Sequence, residues 1–166
     1  MFKSNPDKYN IENIENLNIT EKVVYVKLLE ICSENIEIHP IVKDCPFNKS
    51  RRHEVDFLIK SKSKEELYIE VKGQMTYSEV NKLKYLIKNT DKSFYILQLT
   101  ESDWIEGKNG KDTFEIQFAE LSSFYNDKYS PKKMQQISWR RLSNFVKNKK
   151  QEYKKWCNTS AQNVNN

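Results

Sequence analysis

The sequence contains little glycine, cysteine or histidine, and each shortage excludes a class of site. There are 3 glycines, 3 cysteines and 2 histidines among 166 residues. The glycines form neither a phosphate-binding loop nor a Gly-x-Ser-x-Gly nucleophile turn. The cysteines are odd in number and form no Cys-x-x-Cys pair, which argues against a zinc site and a disulfide framework. His39 and His53 lack metal-ligand spacing, so we expect structural roles for both.

Long hydrophobic stretches are missing as well. No segment approaches the roughly 18 consecutive apolar residues of a transmembrane helix, and the first ten residues lack the apolar segment of a signal peptide. A hydrophobic content of 37% suits one compact domain with modest extensions. We therefore expect a cytoplasmic protein whose thiols stay reduced.

Positive charge is concentrated near the end of the chain. From Lys128 to Lys155 there are ten Lys or Arg residues and one acid, Glu152, which gives a net charge of +9. Because the whole chain carries +5, the other residues together carry −4. A basic segment beside a mildly acidic body predicts binding to a polyanion.

Hydrophobic periodicity predicts an α/β fold with a mixed central sheet flanked by helices. Asn18-Ile-Thr-Glu21 has the pattern of a capping box that opens the first helix, and Pro40 restricts the first strand to a sheet edge or a bulge. The predicted order begins with a helix to about Ser33, a strand over 36–42 and a polar connection over 44–52. Strands over 55–59 and 67–72, a helix over 78–88 and a strand over 94–99 follow.

Two further elements are predicted beyond this core. Phe114 to Phe118 alternates apolar and polar residues, which favours an added strand after a turn at Gly107 and Gly110. Pro131 opens a basic amphipathic helix that reaches roughly to Trp156. The predicted organisation is a polar N-terminal segment, a core domain, a basic helical DNA-binding extension and a disordered tail, over residues 1–17, 18–127, 128–157 and 158–166.

Three charged residues lie in the second and third predicted strands. Asp56 interrupts one apolar run, and Glu70-Val71-Lys72 ends the next. Residues two apart on a strand share a face, so Glu70 and Lys72 point the same way, about 6.6 Å apart along the strand. If the strands pair, Asp56 approaches Glu70, and the two carboxylates repel unless a cation lies between them. Such oxygen donors suit Mg²⁺, with the Val71 carbonyl as a further ligand.

This set of residues suits phosphodiester hydrolysis. A bound Mg²⁺ polarises the scissile phosphate and lowers the pKa of a water, while Lys72 orients that water or stabilises charge on the phosphate. Glu21 lies on the inward stripe of the first helix, where it binds a second metal, positions water or only caps the helix. The alternative interpretation is that Glu70 and Lys72 are ordinary surface residues of an alternating strand.

The order and spacing of these residues resemble the PD-(D/E)xK nuclease superfamily. The resemblance covers roughly residues 18–100: a helix with an acid, a hairpin with Asp56, then Glu70-x-Lys72 and a following helix. It implies a restriction-endonuclease-like core in which these three residues take the metal-binding and catalytic positions and Glu21 takes that of the helix acid. Val55 replaces the proline of the family's Pro-Asp pair, which removes no catalytic side chain.

The resemblance implies a Mg²⁺-dependent DNA endonuclease in which Mn²⁺ substitutes and no small-molecule cofactor is needed. Size and helix acid look most like phage-type Holliday-junction resolvases, which would act in the host cytoplasm. A restriction or homing endonuclease, a transposon end-cleaving subunit and a non-enzymatic DNA-binding module with an inactive nuclease fold are the alternatives. Two cuts on opposite strands need two sites, so a homodimer or higher oligomer is expected.

The predicted DNA contacts lie near the ends of the two site strands and in the basic extension. We expect Trp139 to pack in the core or to dock the helix on the body, whereas Trp156 stacks on bases. A basic amphipathic helix also suits an anionic membrane or a partner protein, but DNA is the simpler partner beside a nuclease-like core. The predicted contacts are Arg51, Arg52, Gln74, Lys132, Lys133, Arg140, Arg141, Lys147, Lys149 and Lys150.

Overall fold

A mixed β-sheet lies between two layers of helices in the computed structural model, which describes residues 15, 17–31, 38–48, 51–100 and 110–164. None of the helices in these ranges combines the length and the apolar character needed to cross a bilayer. In chain order the elements are α1 (Ile19–Ile31), β1 (Ile38–Asn48), β2 (Arg51–Lys60), β3 (Glu66–Lys72), α2 (Tyr77–Lys88), β4 (Phe94–Gln98), α3 (Gly110–Tyr125) and α4 (Pro131–Val164).

The four strands lie side by side in the order β1-β2-β3-β4. The β1–β2 and β2–β3 pairs are antiparallel, whereas β4 runs parallel to β3. A parallel pair needs a crossover connection, and α2 supplies it. The order of helix, three strands, helix and strand confirms the prediction for the core, and β1 occupies the edge position expected from Pro40.

Apolar clusters on both faces of the sheet hold the helices in place. Residues of α1 and α3, with Met134 at the start of α4, cover one face, and residues of α2 and the middle of α4 cover the other. Alternate residues of β3 therefore enter different clusters, as its period-2 pattern predicts. Representative buried residues are Leu28, Phe57, Ile69 and Phe124 in the first cluster and Tyr68, Val80, Ile96 and Leu142 in the second.

Two glutamine side chains cover the outer edge of β4. The Gln98 N–H donates to Gln117 Oε1 at 2.9 Å, and Gln117 Nε2 donates to the Gln98 carbonyl at 2.8 Å. The Phe94 N–H donates to Gln135 Oε1 at 3.0 Å. A bare strand edge presents unpaired peptide groups that can recruit another chain, so α3 and α4 protect this edge as well as pack on the sheet.

The strand predicted over 114–118 is wrong, because these residues lie in α3. Phe114 and Phe118 share a face in a strand, but they also lie about one turn apart on a helix. Phe118, Leu121 and Tyr125 continue the helical spacing and are buried. The longer pattern therefore overrides the local alternation.

The β1–β2 hairpin is longer than predicted and includes much of the polar connection expected over 44–52. Its register shifts between Val42 and Cys45 and again between Pro46 and Asn48. Each shift is a β-bulge or a comparable irregularity, which puts successive side chains out of step with a strict alternation. The period-2 signal that identifies a regular strand is lost there.

Helix α4 continues to Val164, so the disordered tail predicted from residue 158 is wrong over 158–164. Its start agrees with the prediction from Pro131. The Lys133 N–H donates to Ser130 Oγ at 3.2 Å, so Ser130 is the N-cap and proline occupies the first helical position.

Candidate active site

Asp56 lies where β2 and β3 separate. The pairing of these strands reaches Phe57 opposite Ile69, and Asp56 follows at the next position along the sheet. The Val71 N–H donates to Asp56 Oδ2 at 2.7 Å. The Asp56 carboxylate thus accepts a hydrogen bond that a main-chain carbonyl accepts in a paired strand. It lies in the gap where the two strands separate; we call this gap, with Asp56, Glu70 and Val71, the fork.

The buried neighbours of Asp56 in β2 pack on both sides of the sheet. Val55 belongs to the cluster under α2 and α4, whereas Phe57 and Ile59 belong to the cluster under α1 and α3. The pairing of β2 with β1 stays in register from Ile59 to Val55. All three apolar residues are fully buried, so the segment around Asp56 is held firmly in the core.

Glu70 and Lys72 share a face of β3, as their spacing predicts. Lys72 Nζ lies 3.8 Å from Glu70 Oε2. Glu70 is only 4% exposed, although it is a charged residue type that is rarely buried without a compensating partner. Glu70 is therefore not the ordinary surface residue of the alternative interpretation.

The main-chain carbonyl of Val71 faces the same fork. The Leu99 N–H donates to the Lys72 carbonyl at 2.9 Å, so the peptide groups of Lys72 face β4. Peptide groups of successive strand residues point to opposite sides, and the Val71 N–H is already directed at Asp56. The Val71 carbonyl consequently lies on the Asp56 side, as a ligand role requires.

Burial raises the pKa of both carboxyl groups in the fork. It raises the pKa of Glu70 to about 8, with the charge of Asp56 adding to the effect and that of Lys72 opposing it. It raises the pKa of Asp56 to about 6, where the Val71 hydrogen bond opposes the rise and Glu21 adds to it. A cation bound between the two groups would favour their ionised forms.

Glu21 caps α1 beside this pair. Asn18 donates to both carboxylate oxygens of Glu21 through its N–H (3.1 Å) and side-chain amide (2.9 Å), and the Glu21 N–H donates to Asn18 Oδ1 at 2.8 Å. This confirms the capping box. Among the described residues, no three His, Cys, Asp or Glu side chains form a metal-binding group. The cap engages both oxygens of Glu21, and its charge acts on both Asp56 and Glu70, so its second-metal role stays a prediction.

An open groove of about 580 Å³ adjoins the fork. Val71 contributes to both the groove and the fork, so the two are contiguous. Gln74, predicted as a DNA contact, is exposed just beyond the end of β3. The groove is lined by Leu17, Asn18, Ile19, Thr20, Val71 and Gly73.

Most of the predicted DNA contacts on α4 are exposed. Arg51 and Arg52 begin β2, in the hairpin that carries Asp56, and their side chains lie outside the described part of the structure. Trp139 is partly buried against the second cluster, which confirms its expected packing. The exposed basic side chains of the predicted set are Lys132, Lys133, Arg140, Lys147, Lys149 and Lys150.

Arg141 points into the protein, which corrects its prediction as a DNA contact. Its Nη2 donates to both oxygens of Glu120 at 3.0 and 2.9 Å, and its Nη1 donates to the Tyr95 hydroxyl at 3.2 Å. Tyr95 in turn donates to Glu120 at 2.6 Å. A guanidinium held by both oxygens of a carboxylate is fixed in place. The signal that was missed is the position of Arg141 next to the buried Leu142.

The donor set of the fork fits Mg²⁺. This ion binds through one or two carboxylates and completes its shell with water and substrate phosphate, and the fork offers Asp56, Glu70 and the Val71 carbonyl. Neither the models of known protein families nor the curated proteins include one that matches this sequence. The proposed function therefore rests on the chemistry of the residues in the fork.

Proposed function

We propose that this protein is a Mg²⁺-dependent DNA endonuclease with a restriction-endonuclease-like core. The observation that carries the proposal is the buried Glu70 in a fork with Asp56, with Lys72 Nζ 3.8 Å from the Glu70 carboxylate. Buried carboxylates are normally paired with a charge or bound to a metal. The exposed basic residues of α4 support a polyanionic substrate.

Asp56, Glu70 and the Val71 carbonyl would hold the ion. When bound, Mg²⁺ supplies Lewis-acid polarisation of the phosphate and an acidified water. The Val71 N–H holds the Asp56 carboxylate in position at 2.7 Å, so its orientation is set by the fold. Lys72 orients the attacking water or stabilises negative charge that develops on the phosphate, and its contact with Glu70 keeps its ammonium group near the fork.

A cleavage assay with a matched lysine variant tests this assignment. We expect Lys72→Ala to lower the Mg²⁺-dependent cleavage of supercoiled plasmid by about 100-fold or more. Lys60→Ala is the control, because Lys60 pairs with Glu66 at the same 3.8 Å across β2 and β3 but away from Asp56. The control should cleave within about twofold of wild type. Equal cleavage by wild type and Lys72→Ala would refute the catalytic assignment.

A variant of Asp56 distinguishes an enzyme from a non-enzymatic DNA-binding module. Asp56→Asn keeps the size of the side chain and an acceptor for the Val71 N–H but removes a charge. We expect it to abolish Mg²⁺ binding by calorimetry and to abolish cleavage. DNA binding that is unaffected by this variant, without cleavage by wild type in Mg²⁺ or Mn²⁺, would instead support the non-enzymatic alternative.

We further propose that the substrate is branched DNA and that the enzyme acts as a homodimer. Paired cuts on opposite strands need two copies of the fork. Competition between a four-way junction and a random-sequence duplex library separates this substrate from the sequence-specific target of a restriction, homing or transposon enzyme. Light scattering of the DNA complex measures the number of protein copies, and a monomer bound to a cut junction would contradict the dimer.

A further inference from the structure

The side chains of the second half of α4 lie largely in solvent. Every side chain from Lys147 to Trp156 is exposed, whereas Leu142 and Val146 in the preceding turns are buried. Lys150 Nζ lies 5.9 Å from the ring centroid of Tyr77 at the start of α2, and Tyr77 comes five residues after Lys72. We call residues 147–159 the basic arm. It therefore begins near the end of the strand that carries the candidate site.

Two large aromatic side chains lie exposed on the basic arm. Tyr153 is 66% exposed and Trp156 is 65% exposed. Their rings stack on each other, with centroids 6.1 Å apart and an angle of 29° between the planes. With about two thirds of each side chain in solvent, the pair adds little to the core and offers aromatic surface to a ligand.

One lysine, Lys149, accompanies this aromatic pair on the same face of the helix. Residues 147–156 include five lysines and one glutamate. A helix turns about 100° per residue, so Lys149, Tyr153 and Trp156, at relative positions i, i+4 and i+7, share one face. Membrane-surface helices separate an apolar face from a charged one. A lysine within the aromatic face fits a nucleic acid, which presents bases and phosphates side by side.

We propose that the basic arm binds single-stranded nucleic acid, with unpaired bases stacking on Tyr153 and Trp156 and the backbone phosphates contacting Lys149 and Lys150. Aromatic stacking beside a positively charged track is the physical basis of single-strand binding. In a duplex the base faces are stacked on one another, so the aromatic pair has no access to them. This binding goes beyond the proposed endonuclease activity and needs no metal; combined with that activity, it directs the fork to DNA with unpaired segments.

Fluorescence anisotropy in EDTA tests the arm separately from catalysis. The probes are a labelled 20-nucleotide single strand and a duplex of the same sequence. For the double variant Tyr153→Ala/Trp156→Ala we expect at least about tenfold weaker single-strand binding and less than about twofold weaker duplex binding. Tyr153→Phe/Trp156→Phe keeps an aromatic ring at each position and should bind the single strand within about threefold of wild type. Tyr85→Ala, at a 61% exposed tyrosine outside the arm, should leave both affinities unchanged.

Several outcomes would reject single-strand binding by the aromatic pair. Unchanged single-strand affinity in the double alanine variant is one, and an equal loss for single strand and duplex is another. A loss of binding to vesicles of anionic lipid, with single-strand affinity retained, would assign the arm to a membrane surface. Circular dichroism confirms that the helix is intact in each variant. None of these assays requires cleavage, so a failure of single-strand binding does not affect the endonuclease proposal. Conversely, a Lys72→Ala variant that still cleaves would refute the catalytic assignment but not single-strand binding by the arm.

Discussion

Arg140 and Arg141 are consecutive residues with the same charge, yet they point about 100° apart around α4. Arg140 is exposed, whereas Arg141 binds Glu120 and the Tyr95 hydroxyl between α4, α3 and β4. Burial raises the pKa of the Tyr95 hydroxyl well above its usual range, so Tyr95 stays neutral and donates to Glu120. At the residue scale, charge alone therefore does not distinguish a DNA contact from a structural ion pair.

Substitution of Arg141 should lower stability, whereas substitution of Arg140 should weaken DNA binding. We expect Arg141→Ala to lower the free energy of unfolding by about 1.5–3 kcal/mol, because Glu120 loses charge-assisted hydrogen bonds. Arg140→Ala should change it by less than about 0.5 kcal/mol but weaken DNA binding and reduce the salt slope by about 1. Urea unfolding and salt titrations of DNA affinity measure these effects. Equal destabilisation by both variants would contradict the inward position of Arg141.

The raised pKa of Glu70 predicts how stability depends on pH. This pKa is about 8, against 4.5 for an unperturbed glutamate, so between about pH 5 and pH 8 the folded protein holds a proton that the unfolded chain has lost. Without divalent ions, stability should therefore fall as pH rises through this window. Added Mg²⁺ binds the ionised carboxylates, so its stabilising effect should be larger at pH 8 than at pH 6.

Thermal unfolding in EDTA and in Mg²⁺ across this pH range measures both effects. Glu70→Gln is the matched variant, since it has similar size and cannot ionise. We expect it to remove most of the pH dependence and of the Mg²⁺ response. A melting temperature that rises from pH 5 to pH 8 in EDTA would contradict the raised pKa of Glu70, because ionisation of the buried carboxyl group would then not destabilise the folded protein.

At the scale of elements, long regular patterns could be predicted and irregular ones could not. The helical spacing of α2 and the alternation of β3 each persist over several residues, and both elements were predicted nearly to their ends. The bulges of β1 depend on its pairing with β2, which a local period does not contain, and the five residues from Phe114 to Phe118 fit either period until the longer helical pattern of α3 is included. In the site, the shared face of Glu70 and Lys72 follows from period 2, whereas the fork at Asp56 depends on where the pairing of β2 with β3 ends, which the apolar neighbours of Asp56 do not indicate.

The covered edge of β4 is an element-scale feature that mutation can test. Gln117→Leu keeps the side-chain volume but leaves the Gln98 N–H and carbonyl without the partners they have at 2.9 and 2.8 Å. We expect a loss of about 2 kcal/mol or more in urea unfolding, since each buried peptide group left unpaired costs about 1–3 kcal/mol. Gln136→Leu, at an exposed position of α4, is the control and should be nearly neutral. Equal stability of the two variants would show that water replaces Gln117 without cost.

At the scale of the whole molecule, α4 divides into a half that packs on the sheet and a half whose side chains are exposed. Met134, Leu142 and Val146 of the first half are buried, whereas the second half is the basic arm. Burial of an apolar side chain stabilises a fold in proportion to the area removed from water, and the exposed side chains of the arm contribute little in this way. The arm can therefore be altered without removing the helix that covers the sheet.

A chain that ends at Lys147 tests this division. We expect its free energy of unfolding to stay within about 1 kcal/mol of the full chain, because the side chains removed from 148–156 are exposed. The truncation removes Lys149, Lys150, Lys154 and Lys155. The slope of log affinity against log salt for DNA should therefore fall by up to about 3.6, because each phosphate that a lysine neutralises contributes about 0.7–0.9 to it. A full-length variant with these four lysines changed to glutamine should show the same slope without loss of helix length. If the truncated chain unfolds, the arm is part of the folding unit; if its salt slope is unchanged, DNA binds elsewhere on the body.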